Sequence, residues 1–442
     1  MNAVRLIPPA TPTQSEPDGS SPVQAYPIRA TIPLASSKSE SNRALIIDAL
    51  TGFRCELQNL STARDTQTMI RLLKSDDQTA DVLDAGTTMR FLTAYFAVTG
   101  QKKTMTGTPR MCERPIGILV DALRTLGADI TYLKNDGYPP LQINGFSSPT
   151  ESANRLSIRG DVSSQYISAL VMIAPLLPNG LTLELTGAIG SRPYIEMTLE
   201  QMRYFGADVQ DDWEAKTITV APKPYTPRPY AIESDWSGAS YWYSVAALVR
   251  DGDAGTLNAE INLLGLKAKS LQGDSAIVDI MRSLGVESTF TDSGVRLTKR
   301  QAEASLAWDF TDCPDLAQTV AVCAAMKGVV LTLTGIESLK IKETDRIAAL
   351  QAELQKIGAE LVEIEPNHRY EVHQLATAPK APATIETYDD HRMAMAFAPV
   401  AMQQEIIIDE PGVVAKSYPS FWDDMARVVT VEFILEETKT AS

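Results

Sequence analysis

Segment 329–358 shows most clearly how hydrophobic and polar positions are patterned along this chain. Residues 329–334 alternate and are β-branched, which predicts a strand that Gly335 ends. An apolar series at helical spacing follows and stops at Gly358, a typical helix C-cap. Its members are Ile347, Leu350, Leu354 and Ile357. The pattern therefore predicts a strand, a polar turn and a helix.

The polar turn of this segment carries charges of both signs. Lys342 and Arg346 lie four residues apart, so both can reach one pocket beyond the helix N-terminus, which itself favours anions. Glu343, between them, is a candidate acid or base, and Thr344 or Asp345 is the expected N-cap. The alternative is a solvated helix start with local ion pairs.

A similar arrangement begins near residue 28. Residues 28–34 alternate as a strand, residues 35–43 form a polar turn with Lys38, and residues 44–50 predict a helix. The turn lacks the G-x-x-x-x-G-K-[ST] pattern, which argues against a P-loop NTPase. The preceding stretch 8–27 is rich in Pro, Ser and Thr and predicts an exposed arm.

A helix-end pattern built around glycine occurs four times. The glycines are 79, 79 and 73 residues apart (206−127, 285−206, 358−285), and they are Gly127, Gly206, Gly285 and Gly358. Each copy indicates a glycine-capped helix followed by a strand, with a polar turn upstream. This long period predicts repeated modules of the α/β (α+β) class rather than a solenoid.

A proline-rich stretch at 222–229 indicates a crossing between two lobes, predicted at 35–234 and 235–442. Asp235 opens a new helix that is expected to run to Val249. The segment 1–34 is expected to supply an arm and a strand that joins the second lobe.

The composition limits the possible partners. The chain has 442 residues, 44% of them hydrophobic, and no apolar stretch long enough to cross a bilayer. A net charge of −15 argues against nucleic acid or anionic membranes as partners. The four cysteines lack C-x-x-C spacing and there are only three histidines, so we expect no disulfide framework and no metal site. No signal peptide is visible, and we expect a cytoplasmic protein.

Cationic side chains are concentrated in the polar turns. They are Lys38, Arg43, Arg90, Arg114, Arg192, Lys342, Arg346, Arg392 and Lys416. Hydroxyl and amide groups at helix starts accompany them, at Ser39, Ser163, Ser164, Gln165 and Ser191. If the helix N-termini point into one cleft, that cleft suits two small, multiply charged anions such as a phosphate ester and a carboxylate.

Nine short motifs, in order, resemble those of the 5-enolpyruvylshikimate-3-phosphate synthase family. They are 34–45 (L-P-G-S-K-S-x-S-N-R-A-L in the family), 84–90 (N-A-G-T-x-M-R), 113–117 (E-R-P-I-G), 163–165 (S-S-Q), 191–194 (S-x-P-Y), 314–315 (P-D), 342–346 (K-E-T-D-R), 390–395 (D-H-R-M-A-M) and 415–416 (A-K). The resemblance covers nearly the whole chain from about residue 28.

The resemblance implies two lobes, each of three repeated α/β modules, in the inside-out α/β barrel of the enolpyruvyl transferases. It also implies transfer of the enolpyruvyl group of phosphoenolpyruvate to the 5-hydroxyl of shikimate 3-phosphate. The reaction would release phosphate by addition and elimination, without a metal or organic cofactor. We expect a monomer with these two small-molecule substrates.

The resemblance also implies the site residues. The catalytic set would be Asp315 on the hydroxyl side, Glu343 on the methylene side, Lys38 and His391. Shikimate 3-phosphate would be held by Lys38, Ser39, Arg43, Ser163, Ser164, Gln165, Ser191, Tyr194, Asp315, Ser338 and Lys342. Phosphoenolpyruvate would be held by Lys38, Gly86, Arg114, Gln165, Arg346, Arg392 and Lys416.

The chemistry needs two carboxyl groups in opposite protonation states, because a hydroxyl loses a proton while a methylene gains one. We expect crowded cations to keep Asp315 ionised. Glu343 must hold a proton despite Lys342 and Arg346, so burial or acidic neighbours are expected to raise its pKa.

Several positions depart from the family motifs. Ala35 and Ser36 replace Pro and Gly before the lysine turn, and Ser338 replaces an Asn. Asp84 stands where Asn is usual and is expected to add negative charge near the anion site. Gly86 is kept, so glyphosate, a mimic of phosphoenolpyruvate, is expected to find room.

Two other functions are considered. UDP-N-acetylglucosamine enolpyruvyl transferases share the fold and use a loop cysteine, but Cys112 lies only two residues before Arg114 and lacks the Gly-rich loop. A non-catalytic sugar-phosphate binder would not need Asp315, Glu343 and Lys38 together.

Overall fold

The structure is a computed structural model, and it describes residues 2–9, 28–147, 154–161, 163–250, 259–376 and 382–435. Most of the expected arm at 8–27 lies outside the described residues. Among the described helices, none is both long and apolar enough to cross a membrane.

The chain divides into two compact units. Unit 1 contains Met1–Ala35, Ser234–Ser270 and Asp274–Ser442, and unit 2 contains Ser36–Glu233 and Leu271–Gly273. Unit 2 is thus inserted between two neighbouring points of unit 1, where Asp235 N donates to Ala35 O over 2.8 Å.

Both units contain helices and strands. The helices are α1 Lys38–Leu50, α2 Arg64–Leu73, α3 Gly86–Val98, α4 Pro109–Cys112, α5 Gly117–Thr125, α6 Ser164–Ile173, α7 Arg192–Tyr204, α8 Trp236–Leu248, α9 Ile277–Ser283, α10 Ala317–Lys327, α11 Arg346–Lys356, α12 His391–Phe397 and α13 Phe421–Met425. The strands are β1 Ala3–Ile7, β2 Ile28–Ile32, β3 Leu57–Gln58, β4 Thr79–Asp81, β5 Lys103–Thr106, β6 Ala128–Tyr132, β7 Leu141–Phe146, β8 Arg155–Arg159, β9 Leu181–Thr186, β10 Val209–Asp212, β11 Thr217–Val220, β12 Tyr230–Ala231, β13 Ala259–Leu264, β14 Val286–Thr291, β15 Gly294–Lys299, β16 Ser305–Asp309, β17 Val330–Thr334, β18 Ala359–Glu365, β19 Arg369–Gln374, β20 Ala383–Ile385, β21 Ile406–Asp409 and β22 Thr430–Ile434.

The four-stranded sheets share one topology. Unit 1 has the orders β2-β13-β15-β14, β16-β17-β19-β18 and β20-β21-β1-β22, and unit 2 has β4-β5-β7-β6 and β8-β9-β11-β10. In each sheet the first two strands are parallel, and the remaining neighbours are antiparallel. Parallel neighbours need a crossover connection, which α3, α6, α10 and α12 provide in four of the sheets.

The repeat predicted from the glycines is confirmed. Gly127, Gly206, Gly285 and Gly358 have φ values of 106°, 85°, 95° and 86°. Each follows a helix (α5, α7, α9 or α11) and precedes a strand. This left-handed region is strained for residues with a Cβ, so glycine ends each helix and turns the chain toward the next strand.

Each unit has helices buried among its other elements. In unit 1, α8, α10 and α12 pack against one another, and almost every side chain they carry is buried. In unit 2, α1, α3 and α6 pack together in the same way. Predicted site motifs lie at or just before the starts of α1, α3, α6, α10 and α12.

One helix start differs from the prediction. Helix α1 begins at Lys38 rather than at Ala44, with Ser37 as N-cap accepting from Glu40 N. The polar residues 40–43 were predicted to be a turn, but they are buried in the first turns of α1. Their hydrogen bonds to other elements compensate for burying polar groups, which local polarity does not reveal.

The segment around residue 340 follows the prediction more closely. Asp345 is the N-cap of α11, and one of its carboxylate oxygens accepts from Ile347 N and Ala348 N, both over 3.1 Å. A short 3-10 turn, Glu337–Ile341, lies between β17 and α11 and was not predicted.

Candidate active site

Arg346 lies at the centre of the charged cluster of unit 1, with its side chain only 2% exposed. Its guanidinium donates to Asp315 Oδ1 over 3.0 Å, to Glu343 Oε2 over 2.9 Å and to Asp390 Oδ2 over 2.6 Å. Burial by itself would lower the pKa of Arg346, but Asp390, Glu343 and Asp315 raise it above its ordinary value. One arginine therefore holds both predicted catalytic carboxyl groups.

Asp315 is held by a second arginine as well. Arg392 Nη2 donates to its Oδ2 over 2.7 Å. Burial alone would raise the pKa of Asp315, but Arg392, Lys342 and Arg346 together hold it well below its ordinary value. The cations thus keep this carboxyl ionised, as the sequence predicts.

Glu343 is also paired with two cations. Its Oε1 accepts from Lys416 Nζ over 3.1 Å, and its Oε2 accepts from Arg346. Both cationic side chains are buried. Glu343 is therefore held by two residues that were predicted to bind phosphoenolpyruvate, and its expected raised pKa stays a prediction.

Other predicted residues lie at the start of α12 and in the turn before α11. Asp390 is the N-cap and accepts from Arg392 N over 2.8 Å. His391 is buried, with Nδ1 3.6 Å from Asp390 Oδ1. Lys342 is half-buried, and Ser338 is exposed in the turn before α11. Asp390 was not among the predicted site residues, although its motif was.

In unit 2, two arginines surround the first residue of α3. A Cβ added to Gly86 would lie 2.8 Å from Nη1 of Arg114 and 2.8 Å from Nη1 of Arg90. Arg90 is buried and donates to Gly86 O over 3.0 Å and to Pro115 O over 3.1 Å. A helix N-terminus beside two guanidinium groups is suited to an anion, and a Cβ at position 86 would force at least one guanidinium to shift.

The starts of α3 and α6 meet at a side-chain hydrogen bond. Gln165 Nε2 donates to Thr87 Oγ1 over 3.0 Å. Ser163 is the exposed N-cap of α6, and Ser164 is buried. The sequence identified Gln165 and both serines but missed Thr87, which lies inside the same motif as Gly86.

Lys38 has a partner that the sequence did not identify. Its Nζ lies 3.1 Å from Oδ2 of Asp65, a buried residue in the first turn of α2. The other oxygen, Asp65 Oδ1, has no hydrogen-bond partner among the residues that the structure describes. Asp65 therefore fixes the lysine that was predicted to contact both substrates.

Arg43 is an interior residue rather than a surface one. Its guanidinium donates to Thr198 Oγ1 over 2.7 Å, to Ser39 O over 2.9 Å and to Tyr194 O over 3.1 Å. Burial lowers the pKa of Arg43 to about 10. These bonds join α1 to α7, so protein acceptors occupy much of its hydrogen-bonding capacity.

The turn before α7 contains a strained residue. Ser191 has φ 52° and ψ 40° and makes no side-chain cap, which leaves its hydroxyl outside the helix hydrogen bonding. Arg192, next to it, bonds Glu196 over 2.8 Å and lies 4.3 Å from the ring centroid of Trp213. Such left-handed conformations in non-glycine residues are frequent at functional sites.

Comparison with known proteins adds to this geometry. The model of the family described as EPSP synthase (3-phosphoshikimate 1-carboxyvinyltransferase) matches residues 23–76 and 74–425. The chain belongs to the EPSP synthase family.

Individual relatives carry the name of the same enzyme. A Bacteroides fragilis (strain YCH46) protein named 3-phosphoshikimate 1-carboxyvinyltransferase is 49% identical over 403 residues, 90% of this chain and 95% of that protein. A Cellvibrio japonicus (strain Ueda107) protein of the same name is 38% identical over 429 residues, 91% of this chain and 97% of that protein. None of these names supports the UDP-N-acetylglucosamine alternative.

A solved structure shows the fold. EPSP synthase from Acinetobacter baumannii superimposes with a TM-score of 0.72 at 17% identity, covering 98% of this chain and 100% of that chain. The predicted α/β fold of the enolpyruvyl transferase type is confirmed.

One departure from the EPSP synthase motifs is compensated within unit 2. Asp84, which replaces the usual Asn, has its Oδ2 2.9 Å from Nη2 of Arg64. The expected additional negative charge near Gly86 is therefore paired with a cation on α2.

Proposed function

We propose that this chain transfers the enolpyruvyl group of phosphoenolpyruvate to the 5-hydroxyl of shikimate 3-phosphate, releasing phosphate. Family membership supports the activity. Within the molecule, the observation that carries it is the single guanidinium of Arg346 bonded to both Asp315 and Glu343. Two carboxyl groups fixed on one cation can divide the work of a base and an acid.

We propose that the predicted site residues bind the two substrates. Phosphoenolpyruvate would contact Lys38, Gly86, Arg114, Gln165, Arg346, Arg392 and Lys416. Shikimate 3-phosphate would contact Lys38, Ser39, Arg43, Ser163, Ser164, Gln165, Ser191, Tyr194, Asp315, Ser338 and Lys342. Units 1 and 2 would correspond to the predicted lobes, acting in a cytoplasmic monomer without a metal or organic cofactor.

Substrate binding itself would prepare Glu343 to act as an acid. The phosphate and carboxylate of phosphoenolpyruvate would compete for Arg346 and Lys416, which now bond Glu343. Glu343 would lose its counter-charges and gain an anionic neighbour, and both changes favour the protonated form. This explains how a carboxylate paired with two cations can become a proton donor.

The proton steps then balance. Asp315 would take the proton of the 5-hydroxyl as that oxygen bonds to C2 of phosphoenolpyruvate, while Glu343 gives a proton to the methylene. Elimination would return the methyl proton to Glu343 and break the C2–O bond to phosphate. Phosphate would leave with the proton first held by Asp315. His391, buried beside Asp390, would help fix the start of α12.

The experiment is a phosphate-release assay with both substrates. We expect release only when phosphoenolpyruvate and shikimate 3-phosphate are present together. Replacing shikimate 3-phosphate with UDP-N-acetylglucosamine should abolish release. Release with UDP-N-acetylglucosamine alone as acceptor, or no release with either acceptor, would contradict the proposal.

A further inference from the structure

Asp274 is a buried carboxyl group that the reaction described above does not use. It lies in the turn leading into α9 and is 2% exposed. Its Oδ2 accepts from Ser237 Oγ, whereas Oδ1 has no hydrogen-bond partner among the described residues. Buried polar atoms usually have partners, so this orphan oxygen requires an explanation. Asp274 belongs to none of the nine motifs.

A chain of contacts leads from Asp274 to the catalytic cluster. Ser237, the second residue of α8, has its Oγ 3.5 Å from Arg392 Nη2. The same nitrogen lies 2.7 Å from Asp315 Oδ2. The hydroxyl group of Ser237 therefore links Asp274 to the guanidinium of Arg392, and this guanidinium in turn holds Asp315.

The surroundings of Asp274 raise its pKa. Burial, followed by the charge of Asp315, raises the pKa of Asp274 to about 7, although Arg392 and the Ser237 hydroxyl act in the opposite direction. Asp235, at the N-cap of α8, also raises it, and the Cys313 thiol faces it as well.

We propose that Asp274 is a positioning residue: through Ser237 it orients Arg392, and its charge sets how strongly Arg392 holds phosphoenolpyruvate. The inference rests on the proposed function. When Asp274 is ionised, a second carboxylate acts on Arg392 and weakens its attraction for an anionic substrate. The KM for phosphoenolpyruvate should therefore rise as pH increases through about 7. By linkage, phosphoenolpyruvate should favour the protonated form of Asp274.

The test compares Asp274→Asn with the wild-type chain and with Asp279→Asn. Asn keeps the size and can still bond Ser237 but cannot ionise. Asp279 is an exposed carboxylate on α9, so its variant removes one charge from a solvent-exposed position of the same element. The substrate phosphate also titrates near pH 6, but equally for all three proteins.

Between about pH 6 and pH 8, we expect the KM for phosphoenolpyruvate to rise about threefold to tenfold in the wild-type chain and in Asp279→Asn, but less than about twofold in Asp274→Asn. The KM for shikimate 3-phosphate should keep the same pH dependence in all three. Matching phosphoenolpyruvate profiles in the three proteins would overturn the inference. Absence of turnover in the wild-type chain would instead overturn the proposed function.

A second variant keeps the inference testable if Asp274→Asn does not fold. Ser237→Ala leaves the carboxyl in place and removes the hydroxyl between it and Arg392. We expect kcat/KM for phosphoenolpyruvate to fall about tenfold, with the KM for shikimate 3-phosphate unchanged. Unchanged values for both substrates would show that no positioning passes through Ser237.

Discussion

Lys416 donates from Nζ to Oε1 of Glu343 over 3.1 Å, while Arg346 holds the other oxygen of the same carboxylate. Both cations are buried, so water screens these pairs poorly. The two predicted binding residues are thus the present partners of the predicted acid. If Arg346 and Lys416 bind phosphoenolpyruvate as proposed, substrate binding would take both partners from Glu343.

Glu343→Gln should therefore separate binding from turnover. Gln keeps the shape and cannot give a proton; its single oxygen can accept from either Lys416 or Arg346. We expect kcat to fall at least about a hundredfold. Shikimate 3-phosphate affinity, measured by calorimetry, should remain within about threefold of the wild-type value, because the remaining cations of the site are unchanged.

Glu303→Gln is the matched control, since Glu303 is exposed in the same unit. Near-normal turnover in Glu343→Gln would refute the role of Glu343. Equal losses in both variants would indicate a general effect of removing charge.

Gly86→Ala should weaken phosphoenolpyruvate binding. The new Cβ would lie 2.8 Å from the guanidinium of Arg114 and equally close to that of Arg90, and the buried Arg90 has little room to move. We expect the KM for phosphoenolpyruvate to rise about tenfold or more in steady-state assays. Glyphosate inhibition should weaken in parallel.

Gly412→Ala provides the comparison, because a Cβ there meets nothing within 4 Å. If Gly86→Ala leaves the phosphoenolpyruvate KM unchanged, the α3 N-terminus is not part of the anion site.

The pairing of Arg64 with Asp84 can be tested by a double-mutant cycle. Arg64→Ala releases the Asp84 charge two residues before Gly86. We expect the KM for phosphoenolpyruvate to rise about threefold, a value typical of a half-exposed pair. Asp84→Asn alone should change little, and Arg64→Ala/Asp84→Asn should restore the wild-type KM. Additive effects in the double variant would show that the two residues do not compensate each other.

Asp274 should also make the free energy of unfolding depend on pH. Its pKa is raised to about 7 in the folded chain, above the value of about 3.9 in an unfolded one. The folded state therefore binds more protons between these values, and the free energy of unfolding falls as pH rises toward 7. Asp274→Asn should remove this loss, so it should stabilise the protein more at about pH 8 than at about pH 5.

Thermal or urea unfolding of the wild-type chain and Asp274→Asn at both pH values gives the measurement. A stability difference independent of pH would mean that Asp274 does not titrate in this range.

The sequence predicted the repeat and the start of α11 well because both depend on local signals, whereas the start of α1 was placed six residues too late. Glycines at helix ends and apolar spacing act over a few residues, and Asp345 caps α11 as expected. The partners of the cations were harder to predict. Lys38 and Asp65 are 27 residues apart, and Arg392 and Asp315 are 77 apart, so only the packing of helices brings them together.

The burial of Arg43 also depends on partners that the sequence does not identify. Alone in a sequence, an arginine is expected at the surface, yet acceptors on α1 and α7 let this one lie inside unit 2. Asp84 was expected to add negative charge near the anion site, and the sequence did not identify Arg64, 20 residues away, as its partner. In both cases the missing information was the identity of a partner on another element.

Strand β1 pairs with β21 and β22, so Ala3 lies opposite Asp409 and Ile434. During synthesis, β1 is translated before all of unit 2, and it stays unpaired until β21 and β22 have been translated. Pairing between segments so far apart in sequence makes folding slow, and an unpaired strand is prone to aggregation. The third sheet of unit 1 should therefore be completed late, after unit 2 has already been able to fold.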